Sequence, residues 1–323
     1  MNGLVTGALR ASWKLPFISG VTSRRPIVLL YHGTPPRRSG VSMPADAFEQ
    51  HIQFLTRHFE CVPIGGRRKR RAFDRIQVAV TFDDGFRNNA TIAAPILRKY
   101  RVPATFFLCS RHAEPDRYLW FAYLEALEEN FPGDGFSFRG QLMDMSPVRR
   151  PATMARLREW LLELTPHPAA MYSAIDGELP QLEDFISPEY LSGHYAGMTV
   201  EQVQEVAADP LFTIGVHTAD HPFLTKCQPD EAIRQLDTNR RWIERTVATR
   251  CDIVAYPSGD YDDDVLTRCH ELGFTGGYAV TPRSDTRPEL QVPRVGVYST
   301  SLDVLGLKVQ WGNVLRALRC PVG

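Results

Sequence analysis

Val80-Thr-Phe-Asp-Asp-Gly-Phe86 ends a run that reads as a buried strand and passes at once through two adjacent carboxylates, Asp83 and Asp84. Val78 and Val80 alternate with smaller residues and Phe82 follows, the period of a strand, while Gly85 tolerates the positive φ of a tight turn. The aspartates therefore stand at the C-terminal end of a strand, where ligands and catalytic groups gather in α/β folds. An Asp-rich turn capping the next helix is the plain alternative. The choice rests on a second stretch much further along the chain.

Strand and helix signals alternate around this point. Pro26 to Gly33 (PIVLLYHG) is a continuous apolar run of the buried parallel-strand kind. Phe48, Ile52, Leu55 and Phe59 then recur at helical spacing, with Asp46 placed to cap that helix. Val78 to Phe82 follows as a strand, Ile92 to Tyr100 as a helix and Ala104 to Leu108 as a strand. The alternation lapses between about His112 and Gly197, which reads as a helical insertion or lid with helices near Leu119 to Glu129 and Ala152 to Leu164. It resumes at Thr199-Val-Glu-Gln202, a capping-box spacing. Strands at Phe212 to Val216, Ile253 to Tyr256, Gly277 to Val280 and Gln291 to Val295 follow, with helices at Asp230 to Thr246 and Asp263 to Leu272. The whole predicts an α/β fold with a parallel sheet or barrel over 26–300, preceded by a segment 1–25 and followed by an amphipathic helix within 301–323.

The strand Leu211 to Val216 runs directly into His217-Thr-Ala-Asp-His221, placing two histidines four residues apart just past a strand end. That spacing, in a helical turn or a tight loop, can aim two imidazoles at one metal ion. Capping or surface histidines share the same spacing. Both this pair and the aspartate pair, however, lie on the same rim of a parallel sheet. Two neutral imidazoles and a carboxylate form a ligand set for Zn²⁺ or another divalent ion with positions left for water and substrate. A second carboxylate beside the ion can take a proton from the bound water, so one aspartate would hold the metal and its neighbour would act on the water.

With Thr81-Phe82-Asp83-Asp84-Gly85 and His217-Thr218-Ala219-Asp220-His221 in place, the sequence resembles the polysaccharide deacetylase family, the NodB-homology or carbohydrate esterase family 4 group. The likeness runs from LLYHG near the start to PRVGV near the end, outside the insertion. It implies a distorted (β/α)7-type barrel, Asp83 as general base, and Asp84, His217 and His221 as metal ligands. It implies also that the ion polarises an acetamide carbonyl while its water attacks, and that acetate and a free amine are released. The family's third motif, often R-x-x-P-[YF]-G, reads Ala255-Tyr256-Pro257-Ser258-Gly259 here. The Ser258 backbone N–H can still serve an oxyanion, while the motif's arginine and aromatic wall are missing. Arg294 in VPRVGV could supply the charge near Asp83; an exposed strand-end arginine is the alternative. The late leucine-x-x-histidine motif has no counterpart, and His32 in LLYHG stands as the substitute general acid, with a buried packing histidine as its alternative. Tyr118, Trp120, Phe121 and Tyr123 in the insertion offer faces for sugar stacking, although aromatics at such spacing are more often core.

Composition bounds the remaining choices. The 323 residues suffice for a large core, and lysine plus arginine equals aspartate plus glutamate at 37 each, which gives no electrostatic footprint for nucleic acid. Cys61, Cys109, Cys227, Cys251, Cys269 and Cys320 show no paired spacing and read as free thiols of a reducing compartment. No stretch approaches about 20 apolar residues and no signal peptide is evident, so a cytoplasmic location is expected. The mildly amphipathic start and the basic run GGRRKRRAF, Gly65 to Phe73, leave room for peripheral membrane contact or for a solvated loop. The expected partner is an N-acetylated glycan or glycan precursor. A non-catalytic glycan-binding protein on the same fold, or an amidohydrolase of a small non-sugar amide, are the competing readings.

Overall fold

The computed structural model describes residues 26–37, 40, 42–65 and 75–319, with side chains to residue 312. The segment 1–25, Cys320 and most of the basic run, Arg67 to Phe73, lie outside the described residues.

Seven parallel strands close into a barrel: β1 (Ile27–Tyr31), β3 (Gln77–Phe82), β4 (Ala104–Leu108), β7 (Phe212–Val216), β8 (Ile253–Ala255), β9 (Gly276–Ala279) and β10 (Val292–Gly296). The ring runs β1-β10-β9-β8-β7-β4-β3 and closes because β1 pairs with β3, Val28 opposite Ala79, as well as with β10, Val28 opposite Arg294. A two-residue strand β2 (Glu60–Cys61) pairs with the start of β3 at Gln77 and Val78, before β4 begins to pair at Val80.

The period of two in each strand sorts residues between lumen and coat. Ile27, Leu29, Val78, Val80, Phe82, Phe106 and Ile214 face outward into the main core. There they meet α1 (Ala45–His58), α2 (Ala94–Tyr100), α7 (Val200–Ala207), α8 (Pro229–Val247), α9 (Asp263–Glu271) and α10 (Leu302–Arg319). Val28, Ala79, Phe107, Ala255 and Tyr278 fill the lumen. The Phe107 ring occupies so much of it that a Cβ on Gly215 would lie 2.4 Å from the ring, so β7 needs glycine there. Extending the same parity past the strand ends puts Asp83, Cys109 and His217 over the lumen. Sequence periodicity thus delivers the site's residues to one mouth of the barrel.

Helix ends follow local chemistry. Both halves of the Thr199–Gln202 capping box are present on α7. Asp46, expected as the cap of α1, lies instead inside its first turn, where Oδ1 accepts the Ala47 N–H (2.8 Å), and Pro44 occupies the cap position without a side-chain bond. A carboxylate there still complements the positive end of the helix.

Between β4 and α7 the chain builds a second hydrophobic core of its own, from Leu119, Trp120, Leu127, Met145, Leu161 and Met171 among others. Its elements are α3 (Trp120–Asn130), an antiparallel hairpin β5 (Gly135–Phe138) and β6 (Gln141–Asp144), α4 (Arg150–Glu163), α5 (Pro168–Glu178) and α6 (Pro188–His194). An antiparallel bridge, Phe86 to Gly197, stitches its return to the turn after β3. The described cysteines are free thiols. No helix among the described residues is long and apolar enough to cross a membrane.

Candidate metal centre and active site

Ladder hydrogen bonds carry the barrel's order into the site. Asp83 N–H donates to the Tyr31 carbonyl (3.0 Å) and His217 N–H to the Leu108 carbonyl (3.0 Å), so both residues are fixed by neighbouring strands. Beyond those anchors the backbone bends sharply. Asp84 (φ 75°), Thr218 (φ 67°) and His221 (φ 54°) all adopt left-handed backbone, which is costly for residues with a Cβ and most so for the β-branched Thr218. The bends are held by specific bonds: Thr218 Oγ1 accepts the His221 N–H (3.1 Å), and Gln235 of α8 grips Asp220 through both its amide atoms (2.8 and 2.7 Å).

The outcome is a tight buried cluster. His217 Nε2 and His221 Nε2 each lie 3.4 Å from Asp84 Oδ1, and one ligating atom from each of the three residues falls within 4.8 Å of the others. The donor set fits a divalent cation on three counts. Both oxygens of buried Asp84 lack any hydrogen-bond partner, an expensive state for a carboxylate that a cation would relieve. His217 Nδ1 donates to the Ala255 carbonyl (2.9 Å), which fixes the tautomer and leaves the Nε2 lone pair facing Asp84. Burial pushes the His221 imidazole down to about 4, keeping it neutral and able to ligate.

Asp83 has a different environment. Burial alone would raise its carboxyl, but Arg294 donates through Nη1 to Oδ1 (2.6 Å) and through Nη2 to Oδ2 (2.7 Å) and, with His217, holds it below the ordinary range. Asp84 is likewise held low against its burial, by His217, His221 and His32. His217 runs the other way: burial lowers it, yet the Asp83 and Asp84 carboxylates prevail and raise it. Arg294, read from sequence as either the missing charge or an exposed strand-end residue, is buried in the lumen on Asp83, with Phe107 under its guanidinium.

His32 stands half-buried on the same rim, its ring stacked against Tyr298 (centroids 6.1 Å apart) and its buried Nδ1 without a partner. Thr34 N–H donates to Asn88 Oδ1 (2.7 Å), which ties the loop after His32 to the turn after Asp84. Ser258 is exposed on the rim after β8 in left-handed backbone (φ 54°), and no described contact joins it to the other six residues.

Four contributions to the site have no motif in the sequence, and all come from outside the two quoted stretches. Trp120 Nε1 donates to the His221 carbonyl (3.2 Å), and the Phe121 ring lies 4.8 Å from the His221 ring. Of the four aromatics in that stretch, Trp120 and Tyr123 are therefore core, while Phe121 and Tyr118 remain half-buried. His112 contacts the Asp84 carbonyl (3.0 Å), and Cys109 Sγ donates to the His217 carbonyl (3.0 Å).

Comparison with known proteins agrees with this geometry. Residues 70–130 and 188–277 match the family model described as polysaccharide deacetylase, with the insertion left between the two matched segments. The YxkH protein of Bacillus subtilis (strain 168), provisionally named a polysaccharide deacetylase, is 25% identical over 97 residues, which is 30% of this chain and 34% of that protein. The chain thus aligns with about a third of the length of that curated relative. Among solved structures, IcaB from Ammonifex degensii superposes with a TM-score of 0.57 at 17% identity, covering 90% of this chain and 98% of that one. The Streptococcus pyogenes deacetylase PplD, in complex with acetate, gives 0.53 at 16% identity over 88% and 99%. At such identities the two structures speak for the barrel alone, and the motifs and the family match speak for kinship. This chain belongs to the polysaccharide deacetylase family.

Proposed function

We propose that the protein is a metal-dependent hydrolase that removes an N-acyl group, in the first place N-acetyl, from an amino sugar of a polysaccharide, oligosaccharide or glycan precursor. One observation carries this reading: a buried Asp84–His217–His221 donor set stands beside a second carboxylate, Asp83, that has its own dedicated counter-ion. A glycan-binding module would have no use for that second carboxylate.

Asp84, His217 and His221 would hold the ion, Zn²⁺ by the chemistry of the set. Such an ion, when bound, polarises an amide carbonyl and lowers the pKa of water to about 7. Asp83 then takes one proton of the water whose oxygen joins the carbonyl carbon. Because Arg294 keeps Asp83 ionised, the base is ready across the neutral range, and the bidentate clamp fixes which lone pairs face the water. The Ser258 backbone N–H donates to the developing oxyanion. As the C–N bond breaks, His32 gives a proton to the departing nitrogen, so a carboxylate and a free amine leave.

The test begins with metal-free purification, elemental analysis and acetate release from N-acetylated glycans before and after chelation. Asp83→Asn should keep stoichiometric metal and lose turnover by about 10²–10⁴-fold, the usual worth of a positioned base, whereas His217→Ala should lose the metal. An Asp83→Asn protein with full activity would sink these assignments. Metal without acetate from any glycan would favour another acyl group or a small amide.

A further inference from the structure

His112 is a buried residue to which neither motif assigns a task. It sits on the short turn Arg111–Ala113 directly after β4, 1% exposed, and its two ring nitrogens face two backbone carbonyls: Asp84 O at 3.0 Å from Nδ1 and Tyr195 O at 2.8 Å from Nε2. These partners are 28 and 83 residues away in sequence. His194, by contrast, reaches only the Tyr190 carbonyl of its own helix. His112 instead spans from the first strand-end turn to the close of the insertion.

Everything around it is built for that span. The Phe86 ring meets the imidazole edge-on, with centroids 5.0 Å apart. Gly197 passes so close that a Cβ there would lie 1.7 Å from the His112 carbonyl oxygen. Arg87 N–H donates to the Ala196 carbonyl (2.8 Å) and Met198 N–H to the Gly85 carbonyl (2.9 Å), closing a backbone lattice over the aspartate turn. Asp84 needs such support. Its backbone is left-handed, and with both carboxylate oxygens unpartnered its side chain adds no bond of its own to hold the peptide.

Resting on the reading of Asp84 as a metal ligand, we infer that His112 is a positioning residue. In its Nδ1–H tautomer the ring pins the Asp84 carbonyl and thereby aims the Asp84 carboxylate, while its Nε2 edge packs against the Tyr195 carbonyl of the insertion. The insertion is then part of the metal site's scaffold. Outer hydrogen-bond partners of metal ligands commonly set affinity by about 10–100-fold.

Three variants separate donor from filler. His112→Phe keeps the ring's volume and removes both ring nitrogens, the donor among them. The amide of Asn can reproduce a donor at the Nδ1 place, and that of Gln one at the Nε2 place. Zinc affinity is read by competition with a chromophoric chelator, alongside the melting temperature of each metal-free protein and the separate kcat and KM for acetate release. His112→Phe should bind zinc about 10–100-fold more weakly than wild type, with kcat reduced and KM little changed. His112→Asn should recover most of the affinity and His112→Gln should not. Wild-type zinc affinity in His112→Phe would overturn the inference. Should His112→Phe fail to fold, Gln binding zinc as tightly as Asn would overturn it equally. A wild-type protein that takes up no zinc would overturn the metal reading of the site together with this inference, which keeps the two failures distinct.

Discussion

Replacing Arg294 with methionine should destabilise the barrel at Asp83. The thioether keeps most of the apolar stem and deletes the guanidinium that lies over Phe107, leaving Asp83 buried with no bidentate partner. Two unit charges about 4 Å apart attract by about 4 kcal/mol at an effective dielectric of about 20, and breaking a buried pair from one side costs about 3–5 kcal/mol. The Asp83 pKa should climb, since burial already pushes it upward and only the surrounding positive groups, Arg294 first, hold it down. The sign of the pH effect follows. In the wild type a depressed carboxyl contributes stability that is present above its unfolded pKa and lost as pH falls through its folded one. In Arg294→Met the folded pKa lies above the unfolded one, so the penalty is full at alkaline pH and fades as pH falls toward about 4. Urea unfolding of metal-free protein at pH 8, 6 and 4.5 should therefore show a deficit of about 3 kcal/mol or more that shrinks with acid. The acid limb of the kcat/KM profile should move upward as well. Arg294→Lys, a point charge without the fork, should fall between the two. A uniform deficit at all three pH values would mean that Arg294 acts by packing, and no deficit at all would refute the pairing as an energetic feature.

Two further outcomes are expected. His32→Ala should lower kcat by about 10²-fold or more, the scale for a positioned acid; an unchanged rate returns His32 to a packing role against Tyr298. Zinc uptake should release a proton near neutral pH and strengthen as pH rises through that range, because neighbouring carboxylates raise His217 above its ordinary value, whereas His221, lowered to about 4, is already neutral there. Calorimetric titration in buffers of different ionisation enthalpy checks this, and zinc binding without proton release would contradict the raised His217.

What could be read from the chain and what could not divide along a physical line. Strand periodicity and the placing of Asp83, Asp84, His217 and His221 at strand ends are local properties, so VTFDDGF and HTADH announce the barrel strands and the clustering of Asp84, His217 and His221 together. The sequence leaves Arg294 as either a charge near Asp83 or an exposed strand-end residue, because its burial and bidentate geometry depend on β10 meeting β1. The two-residue β2 and the hairpin β5–β6 leave too little periodicity to announce themselves. Trp120, Phe121 and His112 were hidden for a stronger reason: their contacts with His221 and Asp84 cross from the insertion to the barrel, and no spacing within either stretch encodes them. Asp46 shows the converse, a residue of the right type for a cap that sits inside the first turn because Pro44 already starts the helix.

Barrel closure at β1 also sets a timetable. Asp83 and Arg294, which neutralise one another, are separated by 211 residues, and their meeting requires β10 to dock on β1 after the insertion and every intervening strand. A ribosome-bound chain that has emerged only as far as β9 would expose unpaired edges on β1 and β9 and a buried-type carboxylate with no counter-charge, the conditions under which a nascent sheet recruits other strands. Slow folding is built into so non-local a topology. The hydrolytic site consequently comes into existence only with the last strand, and a chain cut short before Pro293 would carry both sequence motifs yet lack the ion pair that makes them work together.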